Sequence, residues 1–337
     1  MKVSDLGEFG LIELLAKLAT QARDEKAPAW RNLLIGIGDD AAAWRRDDAI
    51  ELVTVDSFIQ DIHFISDFTS WKEVGWKALA VNLSDIAAMG GSPRYAVVSL
   101  SLPDDTEVDD MLALYQGMIE LAGEFGVAIV GGDTCRSPQV IINITVIGST
   151  VSQAGDMLTR SGAKEGDKIA VTGSLGAASA GWEMLSKGLR FDAETTQQLR
   201  QPFVTPYPRV AEGQLLVKHG VRAGIDISDG LVADLGHVCR ASQVGARLNV
   251  DLIPVHPAAR DSFGEQALTL ALSGGEDYEL LFTGSAAIID HAKKTVPCPV
   301  TVIGEMVAGD ENKVTLVDRR GNPFALAGGG WDHFKRP

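Results

Sequence analysis

Strand-like and helix-like residue patterns alternate along this chain in two successive rounds, and no other feature restricts its fold as strongly. In the first round, runs of β-branched and apolar residues predict strands at 50–56, 95–102, 127–130 and 140–149. Apolar residues at helical spacing predict helices at 8–22, 71–89 and 112–125. The polar segment 152–166, which contains three glycines, then ends this round.

The second round follows that segment and shows the same alternation. Its predicted strands lie at 168–172, 223–227, 246–250, 278–282 and 300–303. Its predicted helices lie at 177–187, 209–219, 231–241 and 286–295. Because no repeat of fixed period appears, the pattern predicts two domains of α/β or α+β type. We place these domains at residues 1–150 and 151–337.

The charge and the cysteine content of the chain exclude several classes of protein. With 337 residues, of which 45% are hydrophobic, the chain can fill the cores of two domains. A net charge of −15 repels nucleic acids and anionic membrane surfaces, so neither is an expected partner. Cys135, Cys239 and Cys298 form no Cys-x-x-Cys pair, which favours a reducing compartment over disulfides or zinc. Since no apolar run has transmembrane or signal-peptide length, we expect a cytoplasmic protein.

Several aspartates occur where a predicted strand ends or a turn begins. They are Asp39, Asp40, Asp56, Asp133, Asp226 and Asp229. A single aspartate at a turn is most often a capping residue, so the argument depends on the whole group. Carboxylates that meet at one rim of a sheet repel one another unless cations lie between them. Mg²⁺ takes oxygen ligands and helps to bind triphosphates, so the pattern indicates magnesium-assisted phosphate chemistry.

Asp85 is expected near the end of the helix at 71–89, three residues after Asn82. Both side chains then point along one helix face among apolar residues. A carboxylate in that position is costly to bury unless it is paired or bound to a metal. Two interpretations are open here: Asp85 is a metal ligand, or it has a capping or ion-pairing role with Lys77 or Lys72.

Other kinds of nucleotide and metal site are not indicated. The chain has neither a Gly-x-x-x-x-Gly-Lys-Ser/Thr segment, as in a P-loop, nor a His-Glu-x-x-His segment. The segment VTGSLG at 171–176 is similar to a dinucleotide-binding turn, but its glycine spacing differs from Gly-x-Gly-x-x-Gly. We interpret it as an ordinary turn from a strand into a helix.

Seven segments form an ordered set of motifs that spans nearly the whole chain. They read GEFGLI (7–12), IGDDAA (37–42), KALAVNLSDIAAMG (77–90), GGDT (131–134), RSGA (160–163), ISDGL (227–231) and SGGEDYEL (273–280). Together they resemble the thiamine-monophosphate kinase family, which belongs to the aminoimidazole ribonucleotide synthetase superfamily. The resemblance implies an N-terminal α/β domain whose sheet pairs with that of a second subunit, and a C-terminal α+β domain. The active site would lie in a cleft and at the interface of a homodimer.

The resemblance also implies a reaction. The γ-phosphate of ATP, the co-substrate, would be transferred to thiamine monophosphate, which gives thiamine diphosphate. Several Mg²⁺ ions would assist direct in-line attack by the phosphate of the acceptor, so no protein nucleophile is expected.

The matching positions supply the implied site residues. The Mg²⁺ ligands would be Asp40, Thr54, Val55, Asp56, Asp85, Asp133, Asp226 and Asp229. The ATP contacts would be Tyr115, Gly132, Asp133, Arg160 and Ser228. The thiamine monophosphate contacts would be His63, Glu276 and Trp331. Val55 would bind through its backbone carbonyl, because its side chain offers no ligand atom.

Some of these residues also have ordinary structural interpretations. Tyr115 alone reads equally well as an aromatic residue on a helix surface. His63 alone reads as a turn residue, Glu276 as a helix cap and Trp331 as C-terminal packing. Together, an aromatic face and a carboxylate suit the cationic thiazolium and the aminopyrimidine of the acceptor.

Two positions depart from the family pattern. Asp61 stands where relatives often have glycine, and the segment 173–181 lacks an acidic residue that is frequent there.

Two other functions compete with the kinase. They are another ATP-dependent enzyme of the superfamily with a different acceptor, and a non-catalytic nucleotide or metal sensor. Selenophosphate synthetase is disfavoured because no reactive cysteine lies near the N-terminus. The hydrogenase-maturation relative is disfavoured because the tail at 335–337 has no cysteine.

Overall fold

The computed structural model describes residues 10–13, 16–17, 31–46, 49–150, 156–309 and 313–326. Within these ranges the strands form two six-stranded sheets, one in each half of the chain. None of the described helices is long and apolar enough to cross a membrane. The helix predicted at 8–22 is present at 10–13 and 16–17, and its other residues lie outside the described ranges.

The first half consists of one sheet with two helices. Its strands are β1 (Leu33–Ile35), β2 (Ala42–Arg46), β3 (Ala49–Ile59), β4 (Gly91–Leu102), β5 (Ala128–Arg136) and β6 (Ile141–Thr150). Its helices are α1 (Trp71–Ala88) and α2 (Val108–Phe125). The strand order is β1-β2-β3-β6-β4-β5, in which β4 and β5 are parallel and the other neighbours are antiparallel. α1 packs on this sheet and against α2, and the hydrophobic core lies between them.

The second half has its own sheet. Its strands are β7 (Lys168–Thr172), β8 (Ala223–Asp226), β9 (Gly245–Asn249), β10 (Leu280–Gly284), β11 (Val300–Val307) and β12 (Val314–Val317). Its helices are α3 (Ala177–Ser186), α4 (Ala193–Val204), α5 (Val210–Lys218), α6 (Leu231–Ser242), α7 (Pro257–Phe263), α8 (Gln266–Ser273) and α9 (Ala286–Thr295). The order is β12-β9-β11-β7-β10-β8, and only β12 and β9 are parallel among these neighbours. The predicted class, mixed helices and strands with two separate sheets, is confirmed.

α1 connects the two halves because it is buried on nearly all sides. A capping box begins the helix: Ser70 accepts a hydrogen bond from the backbone of Glu73, and Glu73 accepts one from the backbone of Ser70. Arg200 of α4 forms an ion pair with the same Glu73 carboxylate. Apolar residues surround the helix axis, as expected for a helix packed between other elements. Besides its own sheet, α1 contacts α5 and β8 of the second half.

Two strands extend beyond their predicted ends, which corrects the expected position of two aspartates. β3 continues past Asp56 to Ile59, and β5 continues past Val130 through Asp133 to Arg136. The expectation that both carboxylates lie at strand ends on one rim of a sheet was therefore wrong. β5 is an exposed edge strand, where glycines and charged residues are tolerated inside a strand.

The remaining predicted strands and helices are confirmed, with ends that differ by a few residues. Sequence patterns did not predict β1, β2, β12, α4, α7 and α8. These elements are short or largely polar, so neither a period of two nor a helical period stands out in them.

Close contact between α1 and α2 depends on one glycine in each helix. A β-carbon added at Gly75 would lie 1.9 Å from the carbonyl oxygen of Leu114. One added at Gly117 would lie 1.9 Å from the carbonyl oxygen of Lys72. Neither place has room for a side chain, so the two backbones touch directly. Gly123, also in α2, has no atom within 4 Å of the corresponding point.

We predict that Gly117→Ala lowers the free energy of unfolding by about 1–3 kcal/mol, because the added methyl group forces α1 and α2 apart. Gly123→Ala is the control. We expect it to raise the same free energy by up to about 1 kcal/mol, since alanine forms helices better than glycine. Urea denaturation followed by circular dichroism measures both changes. Equal stability of the two variants would contradict a backbone contact at Gly117.

Candidate active site

Three carboxylates from distant parts of the sequence converge where the two halves of the chain meet. Asp40 lies in the turn between β1 and β2, Asp85 near the end of α1, and Asp226 at the end of β8. One oxygen of each lies within 4.8 Å of the others. Asp40 and Asp226 are buried, and Asp85 is half-buried. The structure thus brings together three residues of the ligand set that the sequence predicted.

Two hydroxyl groups hold these carboxylates in place. The Thr54 hydroxyl donates a hydrogen bond of 2.5 Å to Asp85. The Ser84 hydroxyl donates one of 2.6 Å to Asp226. Because Ser84 and Asp85 are neighbours on α1, the end of this helix fixes carboxylates from both halves of the chain.

β3 contributes Thr54 and Asp56 on one face and Val55 on the other, since alternate residues of a strand point to opposite sides. The backbone N–H of Asp56 donates a hydrogen bond of 3.1 Å to the amide oxygen of Asn82 on α1. The Val55 side chain is 62% exposed on the other face. The Val55 side chain therefore faces away from the cluster, and the role of its backbone carbonyl as a ligand stays a prediction.

Burial and mutual repulsion raise the pKa values of the clustered carboxyls. Burial raises the pKa of Asp226 to about 7, and repulsion from Asp40 adds to the rise. Burial raises the pKa of Asp56 to about 6; a hydrogen bond with Asp85 opposes the rise and the charge of Asp40 adds to it. Burial, then repulsion from the other three carboxylates, raises the pKa of Asp85 well above its usual range. Ionised together, these groups destabilise one another unless a cation lies between them.

Arg160 brings a positive charge to the cluster from the second half of the chain. Its Nε donates to Asp40 Oδ1 at 3.0 Å, and its Nη2 donates to the same oxygen at 2.5 Å. Its backbone N–H donates to the Asp39 carboxylate, which also accepts from the backbone N–H of Asp40. Burial raises the pKa of Asp40, and the guanidinium opposes that rise. Asp39 therefore supports the turn, and Asp40 faces the cluster.

The donor atoms of this cluster fit a hard divalent cation. Asp40 Oδ2 is buried and has no hydrogen-bond partner. A buried carboxylate oxygen without a partner is costly, and a cation bound there removes the cost. The group of Asp40, Asp85 and Asp226 offers carboxylate oxygens only, with the Thr54 hydroxyl beside them. Mg²⁺ takes ligands of this kind.

Asp229 belongs to a separate group, with Asp234 and His237 of α6. The ligand atoms of these three residues lie within 4.8 Å of one another. The Asp234 carboxylate accepts backbone hydrogen bonds of 3.1, 3.1 and 3.0 Å from Ser228, Asp229 and Gly230. Asp234 thereby fixes the turn that carries Ser228 and Asp229. Burial lowers the pKa of His237 to about 4, so its imidazole is neutral near pH 7.

The predicted acceptor contact Glu276 pairs with a buried lysine, and the predicted contact His63 stacks on a ring that the same lysine faces. Lys77 of α1 is 3% exposed, and its ammonium group lies 2.8 Å from Glu276 Oε1. The same group lies 6.0 Å from the ring centre of Phe58. The His63 ring stacks on Phe58 with 5.6 Å between ring centres, and its Nδ1 accepts a hydrogen bond from the backbone of Ile59. His63 is thus a turn residue that also lies beside this group.

Asp61 adopts a backbone conformation that would suit the glycine implied by the family resemblance. Its φ is 63°, in the left-handed region that glycine adopts most easily. Its backbone N–H donates a hydrogen bond of 2.8 Å to the carbonyl of Phe64. This bond closes the turn that contains His63. Aspartate enters this region more readily than most residues, so the departure from the family pattern is compatible with the turn.

Asp133 and Gly132 lie away from the cluster within one chain. Asp133 pairs with Ser99 of β4 and shares the open face of the sheet with Val55. Three strand spacings of about 4.8 Å separate β5 from β3. Gly132 permits close approach of the strands, because a β-carbon there would lie 1.7 Å from the carbonyl oxygen of Val98. The roles of Asp133 and Gly132 at metal and ATP stay predictions.

The remaining predicted contacts of ATP and of the acceptor lie in different parts of the chain. Tyr115 is half-buried against the core of the first half, and burial raises its pKa. Ser228 is half-buried in the turn fixed by Asp234. Trp331 lies outside the described residues. Their roles as contacts of ATP and of the acceptor also stay predictions.

The ion pairs of α1 decide one of the interpretations of Asp85 that the sequence left open, its pairing with a lysine, while its role as a metal ligand stays a prediction. Lys77 pairs with Glu276 at 2.8 Å, and Lys72 pairs with Glu120 of α2 at 2.6 Å. Both lysines are engaged elsewhere, so the interpretation of Asp85 as the partner of either one was wrong. Asp85 instead contacts a hydroxyl group and other carboxylates.

Sequence reasoning missed three polar residues of this region. Ser84 immediately precedes Asp85 inside an apolar stretch, and such an isolated hydroxyl was a usable signal. Asp234 and His237 lie three residues apart after an Asp-Gly turn, which is the spacing of side chains on one helix face.

Family models and solved structures match most of the chain. Residues 38–150 match the model described as AIR synthase related protein, N-terminal domain, and residues 164–317 match AIR synthase related protein, C-terminal domain. A structure described as AaThiL complexed with AMPPCP and TMP has a TM-score of 0.84 and 31% identity, with 99% of both chains covered.

Curated relatives extend the match over nearly the full chain. Thiamine-monophosphate kinase of Escherichia coli (strain K12) is 37% identical over 337 residues, which cover 98% of this chain and 99% of the relative. The enzyme of the same name from Bacillus subtilis (strain 168) is 34% identical and covers 89% of this chain and 94% of the relative. By these similarities and by its clustered aspartates, the chain belongs to the thiamine-monophosphate kinase family.

Proposed function

We propose that this protein transfers the γ-phosphate of ATP to thiamine monophosphate and forms thiamine diphosphate. The observation that carries the proposal is the convergence of Asp40, Asp85 and Asp226 beside Arg160. Phosphoryl transfer requires mainly positioning and charge neutralisation from a protein, and this cluster suits both. Relatives that cover nearly the whole chain are named thiamine-monophosphate kinases, and a similar structure is complexed with AMPPCP and TMP.

The carboxylates of the cluster would hold several Mg²⁺ ions. The proposed ligands are Asp40, Asp56, Asp85 and Asp226, the Thr54 hydroxyl, the Val55 carbonyl, Asp133 and Asp229. When bound, the ions neutralise the charge on the phosphate oxygens during transfer. The hydroxyl groups of Thr54 and Ser84 already orient two of the carboxylates, so little rearrangement is needed to accept a cation.

Arg160 and Ser228 are proposed to bind the phosphates of ATP. A guanidinium group can grip phosphate oxygens at two points and keeps its charge at every working pH. Asp40 holds that group at the edge of the cluster. Since the phosphate of the acceptor itself attacks, the protein needs no nucleophile. Glu276, His63 and Trp331 are the proposed contacts of the acceptor rings, where a carboxylate and aromatic faces suit a cationic thiazolium.

The open face of the first sheet is the proposed dimer surface. Val55, Tyr95, Val97 and Val130 are between 36% and 62% exposed on this sheet. An apolar patch of this kind marks an interaction surface, and the exposed edge of β5 adjoins it. We propose that a second copy of the chain covers it, and that Tyr115, Gly132 and Asp133 take part in catalysis in that homodimer.

We also propose the boundaries of the two domains, and the cytoplasm as the compartment of the reaction. The first domain would end at residue 150, the last residue of β6, and the second would begin at residue 151. Cys135, Cys239 and Cys298 are all free, which suits the reducing cytoplasm.

The first test of this function is turnover. Wild-type protein with ATP, Mg²⁺ and thiamine monophosphate should form thiamine diphosphate, measured by chromatography. Asp85→Asn should lower kcat by about 100-fold or more, because it removes one charge of the cluster. Asp290→Asn, at an exposed position in α9, is the control and should leave kcat unchanged. Absence of turnover by the wild-type protein, or turnover of an aminoimidazole precursor instead, would refute the proposal.

A second test uses stability instead of activity. The pKa values of Asp226 and Asp56 in the folded protein are about 7 and about 6, above the ordinary aspartate value of about 4. Between about pH 4 and about pH 7 the folded state therefore holds protons that the unfolded chain has released. Without Mg²⁺, the free energy of unfolding should fall as the pH rises through this window.

Mg²⁺ should reverse that loss, because it replaces the protons. We expect stabilisation by about 2–3 kcal/mol near pH 8 when free Mg²⁺ is about 100-fold above its Kd, and much less near pH 5. Thermal melting with Mg²⁺ and with a chelator, at both pH values, measures this difference. Stabilisation that is equal at the two pH values would argue against metal binding by these carboxylates.

The dimer surface gives a further prediction. Val97→Glu should convert a dimer into a monomer at micromolar concentration, since it places a charge in the covered apolar patch. Leu252→Glu is the control, because Leu252 is 40% exposed in the second half of the chain, away from this sheet. Sedimentation equilibrium gives the masses. A monomeric wild-type protein, or dissociation by the control alone, would show that this surface is not the interface.

A further inference from the structure

Lys77 is a buried charged residue to which the proposed reaction assigns no role. It is 3% exposed, and its ammonium group lies 3.8 Å from the ring centre of Phe203 and 2.8 Å from Glu276 Oε1. An ammonium group is costly to bury unless a charged partner and favourable contacts accompany it. The ion pair with Glu276 and the face of Phe203 offset part of this cost, and among the described residues the ammonium group has no well-aligned hydrogen bond.

Glu276 is held in an unusual backbone conformation. Its φ is 68°, and that of Tyr278 is 48°, both in the left-handed region where residues other than glycine are rare. The backbone N–H of Glu276 donates a hydrogen bond of 2.8 Å to the carbonyl of Ser228, and that of Tyr278 donates one of 2.9 Å to Ile227. Such conformations persist where the surroundings impose them, often at functional sites.

The neighbouring acidic residues of this loop have other partners. The Asp277 carboxylate accepts hydrogen bonds of 2.9 and 3.0 Å from the backbone N–H of Gly176, at the start of α3. Glu279 accepts from the Thr172 hydroxyl at 2.6 Å and from the Arg209 guanidinium. These contacts anchor the loop, and Glu276 is its acidic residue directed at Lys77, with a side chain that is 31% exposed.

We propose that Lys77 is a positioning residue, which fixes the Glu276 carboxylate in the orientation that meets the ring end of the acceptor. This rests on the proposed function. Lys77 lies eight residues before Asp85 on α1, about 12 Å along the helix axis. The same rigid helix therefore carries Lys77, which holds Glu276 at the rings of the acceptor, and Asp85, which lies in the carboxylate cluster where the phosphates would bind. The helix sets the distance between these two parts of the site.

Steady-state kinetics with both substrates tests this role. Lys77→Met keeps the length of the side chain and its packing on Phe203 but removes the charge. It should raise the KM for thiamine monophosphate by about 10- to 100-fold, the effect of losing a buried ion pair, with KM for ATP and kcat nearly unchanged. Lys77→Arg should restore part of the loss. Lys72→Met is the matched control on the same helix, since Lys72 is 49% exposed and pairs with Glu120, and it should change none of these constants.

The outcomes separate this proposal from the function on which it rests. No turnover of thiamine monophosphate by the wild-type protein would refute the function itself. Turnover by the wild type together with an unchanged KM in Lys77→Met, or equal changes in kcat and both KM values, would overturn the positioning role. If Lys77→Met does not fold, the ¹⁵Nζ resonance of Lys77 in wild-type protein decides: it should shift on addition of thiamine monophosphate and not of ATP, and no shift would overturn the proposal.

Discussion

Asp40, Asp56, Asp85 and Asp226 lie close together with little access to water, so their negative charges repel one another strongly. Asp226 comes from the second half of the chain and the other three from the first. When these groups are ionised together, their repulsion weakens the contact between the halves unless a positive charge offsets it. The guanidinium of Arg160, which also comes from the second half, opposes it at Asp40, and bound cations would oppose it at the remaining oxygens. The contact between the halves and the chemistry of the site thus depend on the same charges.

α1 makes this arrangement rigid. A helix that is apolar on all sides must be covered on all sides, and here both halves of the chain cover it. Its few buried polar residues are consequently directed at specific partners. Ser84 and Asp85 reach the carboxylate cluster at one end, and Lys77 reaches Glu276 nearer the other. Packing with α2 through Gly75 and Gly117 leaves no freedom for the helix to shift between these contacts.

Sequence patterns predicted most strands and helices, because each depends on residues that are near one another in the chain. The family resemblance placed Asp40, Asp85 and Asp226 in one ligand set, and the structure brings these three carboxylates together. Sequence patterns could not supply strand order or register, which depend on pairings between distant segments, and so Asp56 and Asp133 were placed at strand ends. The partner of Lys77 was missed for the same reason: Glu276 is about two hundred residues away, and only the folded chain brings it near. The motifs around both residues were visible, but their contact was not.

The position of Asp133 links the metal site to the assembly of the protein. Within one chain Asp133 lies on the open face of the first sheet, whereas Thr54 and the cluster lie on the face covered by α1. A side chain on one face of a sheet cannot reach the opposite face. If Asp133 is a metal ligand, as its motif predicts, it therefore serves a site that a second copy of the chain helps to form. The apolar residues around it, such as Val97, are the kind of surface that holds two copies together. In that arrangement a homodimer would be needed to assemble the ligands, because within the part of one chain that the structure describes Asp133 belongs to no group of possible metal ligands.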